Sequence, residues 1–132
     1  MENSKFFTKE IVLGDELLKS FRNIFKVVTV KKFVSKSGKL PEALKLRVTV
    51  LYDDKDYGID KATGEKRFDN VGQNMDVYIL NMNHNVKRGD YVSLKGFDAE
   101  TSFVADFDLW MFFKDLEVVA PPNAAGAGKG NN

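Results

Sequence analysis

Residues 21–52 read FRNIFKVVTVKKFVSKSGKLPEALKLRVTVLY, two runs rich in Val, Leu, Phe and Thr joined by a short Ser/Gly/Pro connector. Side chains of this kind suit a pleated, half-buried surface better than a helix. The second run alternates, with Leu44, Leu46, Val48 and Val50 on one parity and Lys45, Arg47, Thr49 and Leu51 on the other. One face is therefore expected to be core and the other basic. In the first run both parities are partly apolar: Ile24, Val28, Val30 and Val34 fall on one, and Phe25, Val27, Thr29, Lys31 and Phe33 on the other. That is the pattern of a long, bent strand passing from one part of a sheet to another. Residues 35–41 read as a turn, since Gly38 permits positive φ and Pro41 is barred from a central ladder.

The same stretch is cationic. Lys19, Arg22, Lys26, Lys31, Lys32, Lys36, Lys39, Lys45 and Arg47 meet a single acid, Glu42, between residues 19 and 52. Residues 1–50 hold 11 Lys/Arg against 5 Asp/Glu, and residues 51–119 hold 8 against 14, so the net charge of +1 conceals a basic half and an acidic half. Such asymmetry points to a nucleic-acid surface, or to solvated faces of both signs interleaved in space. A chain of 132 residues with 43% hydrophobic side chains can bury one core without staples. The absence of Cys excludes a disulfide scaffold and a thiolate zinc site, and it fits a reducing compartment. No run approaches the roughly 20 apolar residues of a membrane helix, and the N-terminus lacks a signal-peptide pattern, so a soluble cytoplasmic protein with no membrane partner is expected.

Elsewhere the signals are shorter. Residues 10–13 suggest a brief strand, and Gly14 followed by Asp15, Glu16, Leu17 and Leu18 a helical turn with acids at its start. Residues 53–70 form a long polar insertion, expected to be a hairpin excursion with Thr63 and Gly64 at its tip. Residues 71–80 predict a third strand with Met75, Val77 and Ile79 inward and Asp76, Tyr78 and Leu80 outward. Residues 86–97 predict a turn at Gly89 and a fourth strand with Val92 and Leu94 inward. A fifth strand lies within residues 103–119, with Leu116 and Val118 as core candidates beside a bulky cluster from Phe107 to Phe113. Residues 120–132, small and polar, are expected to be a disordered tail following one domain of residues 1–119.

Five strands, a long bent first one, a connector between the third and fourth, and a positive outer surface describe an all-β, five-stranded oligonucleotide-binding (OB) Greek-key barrel. The fourth-strand segment Val86-Lys87-Arg88-Gly89-Asp90-Tyr91-Val92-Ser93-Leu94-Lys95-Gly96-Phe97 resembles the Lys-Gly-Asp-x-Val-x-Val-x-Gly pattern of single-stranded DNA-binding proteins of this fold. Gly89 would serve the turn and Gly96 a bend at a barrel corner. The resemblance implies non-catalytic binding of single-stranded DNA in replication or recombination, with replication or recombination proteins as partners; a small barrel with exposed apolar strands also often assembles into a homo-oligomer. The cellular bacterial members usually end in an acidic, hydrophobic-tipped tail, whereas this chain ends Gly128-Lys129-Gly130-Asn131-Asn132. Compact size and divergence make it look more like a member from a phage or other mobile element.

Binding an unpaired strand takes cations that replace the counterions of phosphates and flat rings on which bases lie. Lys45 and Arg47 project from one face, and Tyr78 on the neighbouring strand is the expected stacking platform, or else simply a cross-strand partner. Arg22, Lys26, Lys31 and Lys32 extend the basic surface, although lysines on an edge also guard against strand addition. Tyr57, Lys61, Lys66, Arg67 and Phe68 in the long insertion are candidates to clamp the strand. Trp110 is assigned to the core or to a subunit interface, and Phe25, Phe33 and Tyr52 mainly to the barrel interior. An enzyme is not expected: the sole histidine, His84, has no Cys or second His to work with, and no cofactor motif is present. The acids Asp53, Asp54, Asp56 and Asp60 fail the calcium-loop spacing, because Lys55 and Gly64 stand where ligands belong. An RNA-binding barrel and a protein-interaction module remain as alternatives.

Overall fold

The computed structural model describes residues 14–55, 57–59, 61–64, 69–105 and 108–122. The expected strand at residues 10–13, the bulky Phe107 and residues 123–132 of the expected tail lie outside them. The described residues form one short helix, α1 (Gly14–Ser20), and six strands: β1 (Phe25–Phe33), β2 (Ala43–Val50), β3 (Asn74–Ile79), β4 (Tyr91–Phe97), β5 (Phe103–Ala105) and β6 (Asp108–Val119). The fifth expected strand is thus a hairpin of β5 and β6, and the described part of the 53–70 insertion adds no strand.

All pairings are antiparallel except one. β1 pairs with β2, β2 with β3, and β4 with both β1 and β6, while β3 and β6 run parallel through Val77–Met111, Tyr78–Phe112 and Ile79–Phe113. The pairings therefore return on themselves in a ring-like sheet, with β5 hung on the outer flank of β6.

Two backbone irregularities explain the sequence pattern. The β1–β2 register shifts at Val28, where Val27 faces Val48 but Thr29 faces Arg47. This bulge switches the inward parity of β1 from Phe25 and Val27 to Val30, which accounts for two apolar parities in one strand. Gly96, at φ +68°, lies between inward-facing Leu94 and Phe97, and on the paired strand the inward positions pass from Leu116 to Phe113. An L side chain there would be strained and would approach the Lys114 Cβ at 3.0 Å. Val118, expected in the core, is 46% exposed.

Inside the ring, Phe25, Leu46, Val48, Val77, Ile79, Met111 and Phe113 are buried together with Leu17, Leu18 and Phe21 from α1 and the turn after it. The helix carries Asp15 and Glu16 in its first turn and Lys19 in its last, each favourable against the helix dipole. It ends at Arg22 and Asn23, both with positive φ. Asn23 then acts as a strand partner: its amide Nδ2 donates to the Leu94 carbonyl and its Oδ1 accepts from the Leu94 N–H, both at 2.8 Å.

Candidate nucleic-acid interface

Alternation places a second set of side chains on the outer face of β1, β2 and β3. Cross-strand register arranges them in rows: Lys26, Thr49 and Asn74; Thr29, Arg47 and Asp76; Lys31, Lys45 and Tyr78. Lys31 and Lys45 are thus direct neighbours of like charge, an arrangement that weakens a sheet. Among the described residues Lys31 has no ion-pair partner.

β3 and β6 pair only through residues 77–79 and 111–113, and before that point they diverge. The gap is a groove of about 300 Å³ whose walls include Lys45 and Arg47 of β2, Asn74 and Asp76 of β3, and Asp108 and Trp110 of β6. Asp76 reaches both cations, 3.1 Å from Arg47 Nε and 3.8 Å from Lys45 Nζ. Its hydrogen bond and charge raise the Arg47 guanidinium above its ordinary pKa. Thr49 donates to the Asn74 side-chain carbonyl at 2.7 Å and fixes that wall.

At the end of the groove lies an aromatic cluster outside the ring. Phe103, Trp110, Tyr78 and Phe112 follow one another in near-parallel contact, with centroids 5.3, 5.3 and 4.9 Å apart, and Phe33 meets Tyr78 edge-on at 5.0 Å. Each such pair contributes about 0.5–1.5 kcal/mol beyond its buried area. Tyr78 does occupy the outward parity, but these rings cover it to 3% exposure, so it is not the base-stacking platform the sequence suggested. Burial first, then the charges of Asp76 and Asp108, push its phenol up to about 12. The Lys45 ammonium lies 5.9 Å from its ring centroid.

The remaining candidates divide. Lys31, Lys45 and Arg47 come together, and Lys26 shares their face with its ammonium 5.8 Å from the Tyr91 ring centroid. Lys32 falls on the other parity and pairs with Glu42 at 3.2 Å. Arg22 is engaged elsewhere: it donates from Nε and Nη2 to Asp54 at 2.8 and 2.9 Å and lies over the Tyr52 ring, tying the end of α1 to the exit of β2. Tyr57 is not a clamp. It is 5% exposed; its hydroxyl donates to Asp53 at 2.8 Å and accepts from Asn70 Nδ2 at 2.9 Å, which fastens the two ends of the insertion. Lys61 is exposed in a turn, and Lys66, Arg67 and Phe68 lie outside the described residues, as do Asp56 and Asp60.

The groove also contains residues that the sequence did not assign to binding. Trp110, assigned to core or subunit contact, is half-buried in its wall, and Asn74, Asp76 and Asp108 complete it. A parity count marked Asp76 as outward beside Tyr78, but the divergence of β3 from β6 has no signature in either strand alone. Among the described residues no three His, Asp or Glu side chains are grouped to hold a metal ion, and no helix is long and apolar enough to cross a membrane.

No protein-family model, curated protein or solved structure matches this chain.

Proposed function

We propose that this chain is a non-catalytic OB-fold module that captures single-stranded DNA with little sequence preference, in replication or recombination. The observation that carries the reading is the outer face of β1–β2: Lys31 and Lys45 stand opposite each other, with Arg47 beside them, above an open groove walled by Trp110. Like charges set face to face cost stability and gain value when a polyanion lies across them. Ring order supports the fold: β1, β2, β3, β6 and β4 follow one another around the sheet, as in a five-stranded Greek-key barrel. In that fold oligonucleotides lie on the face of the second and third strands.

Capture works mainly through phosphates. The ammonium of Lys31 and the cations of Lys45 and Arg47 replace the counterions of the strand. Tyr78 is covered and the half-buried Trp110 is itself stacked against Phe103 and Tyr78, so base stacking is a smaller contribution than cation pairing.

Titration of a labelled oligo(dT) at increasing salt tests this reading. Log affinity should fall against log salt by about 0.7 for each phosphate neutralised, and a Lys31→Gln/Arg47→Gln protein should bind more weakly with a flatter slope. Absence of binding at low salt, or affinity indifferent to salt, rejects the reading. Competition by an RNA oligomer of equal length separates a DNA binder from an RNA binder.

A second reading, a protein-interaction module, is favoured by one feature. Two acids, Asp76 and Asp108, stand among the groove walls with the two cations Lys45 and Arg47. Phe33, Leu40, Phe103 and Trp110 add a half-buried apolar border. A groove of that balance suits a peptide of mixed charge, and a flat salt response would support it.

A further inference from the structure

The two contacts of Asp76 give the groove an unusual property. On the proposed single-strand reading, a surface that binds phosphate should leave its cations unpaired, yet one carboxylate touches both Arg47, at 3.1 Å, and Lys45, at 3.8 Å. Asp108, across the groove, forms no ion pair among the described residues. Asp76 stands directly opposite Arg47 in the β2–β3 register, so the contact follows from strand pairing and not from a chance rotamer. Its side chain is 29% exposed, shielded enough for the contacts to persist and open enough for exchange.

We propose that Asp76 is an internal counter-anion that sets the affinity of this groove: an incoming phosphate must displace its carboxylate from Arg47 and Lys45. Binding is then an exchange of one anion for another on the same cations. Fewer solution ions are released than the count of cations implies, so affinity is lower and its salt dependence shallower. Such a groove holds a strand loosely and lets it leave quickly. The backbone of Asp76 makes its part of the β2–β3 ladder whatever its side chain.

Asp76→Asn tests this, since the amide keeps the shape and an acceptor for Arg47 while removing the charge. Against labelled oligo(dT) at low salt, the variant should bind about three- to tenfold more tightly, the effect of releasing two partly exposed ion pairs. Its plot of log affinity against log salt should steepen by about 0.7 for each cation recovered. Both changes should vanish in a Lys45→Gln/Arg47→Gln background. Asp76→Thr, neutral and suited to a strand, repeats the test should the amide fold poorly. Equal or weaker binding by folded neutral variants overturns the role of Asp76, as does an unchanged gain when Lys45 and Arg47 are absent. These failures differ from failure of the underlying reading, in which neither the wild-type nor the neutral protein binds the oligomer at any salt.

Discussion

Tyr57→Phe removes one oxygen and leaves the ring in place, which makes it a clean probe of how the 53–70 insertion is fastened. The hydroxyl donates to Asp53 Oδ2 at 2.8 Å, and the same carboxylate oxygen accepts from the Asn70 N–H at 2.9 Å and Asn70 Nδ2 at 3.2 Å. A hydrogen bond to a charged acceptor is worth about 1.5–3 kcal/mol, and loss of the donor forfeits most of it. Asp53 keeps its Asn70 donors and is only partly buried, so the net loss is set at about 1–2 kcal/mol. For a domain of this size that corresponds to a fall in Tm of roughly 3–10 °C. Differential scanning calorimetry measures it, and Asp53→Asn in a double-mutant cycle isolates the pair. Limited proteolysis should show faster cleavage within the insertion in the variant. A Tm within about 1 °C of wild type would refute the latch.

Stability should also decline in alkali. Tyr78 is held up to about 12 by burial and nearby acids, and burial with the Asp53 hydrogen bond raises Tyr57 as well, so the folded state favours the neutral phenols. Their contribution is complete below the unfolded value of about 10 and is lost as pH rises from there toward the folded values. Urea midpoints should therefore be steady from about pH 8 to 10 and drop above it, and a flat profile through pH 11 would contradict the burial. Lys31→Glu should trade binding for stability: it replaces a like-charge pair with an ion pair opposite Lys45, gaining about 0.5 kcal/mol in denaturant unfolding while oligonucleotide affinity falls. Asn23→Ala deletes both hydrogen bonds to Leu94 and should cost about 2 kcal/mol, read as a lower urea midpoint.

What the sequence conveyed and what it withheld follow from the range of each interaction. Alternation from Leu44 to Leu51 gave β2 and its basic face, because a strand's two faces are written two residues apart. The Gly89 turn was legible from residue type alone, and its φ of +92° agrees. The α1 turn was readable from Gly14, Asp15 and Glu16. Tyr78 shows the limit: its parity was right, but parity says nothing of what covers a face. Its cover comes from Phe33, Trp110 and Phe112, all more than thirty positions away in the chain. Tyr57 was misread for a similar reason. A ring in a polar loop looks available until Asp53 and Asn70, at the two ends of that loop, are seen to meet over its hydroxyl.

The seam where β3 meets β6 has a kinetic consequence. Every other pairing of the ring links strands that a growing polypeptide presents earlier, or joins β6 to its near neighbour β4, whereas residues 77–79 must wait for residues 111–113. A ribosome-bound fragment ending before Met111 would carry β3 with one unsatisfied edge and Tyr78 without the Phe112 part of its cover. Structure should therefore be acquired late in synthesis and in one step, at the slow pace typical of distant strand pairing.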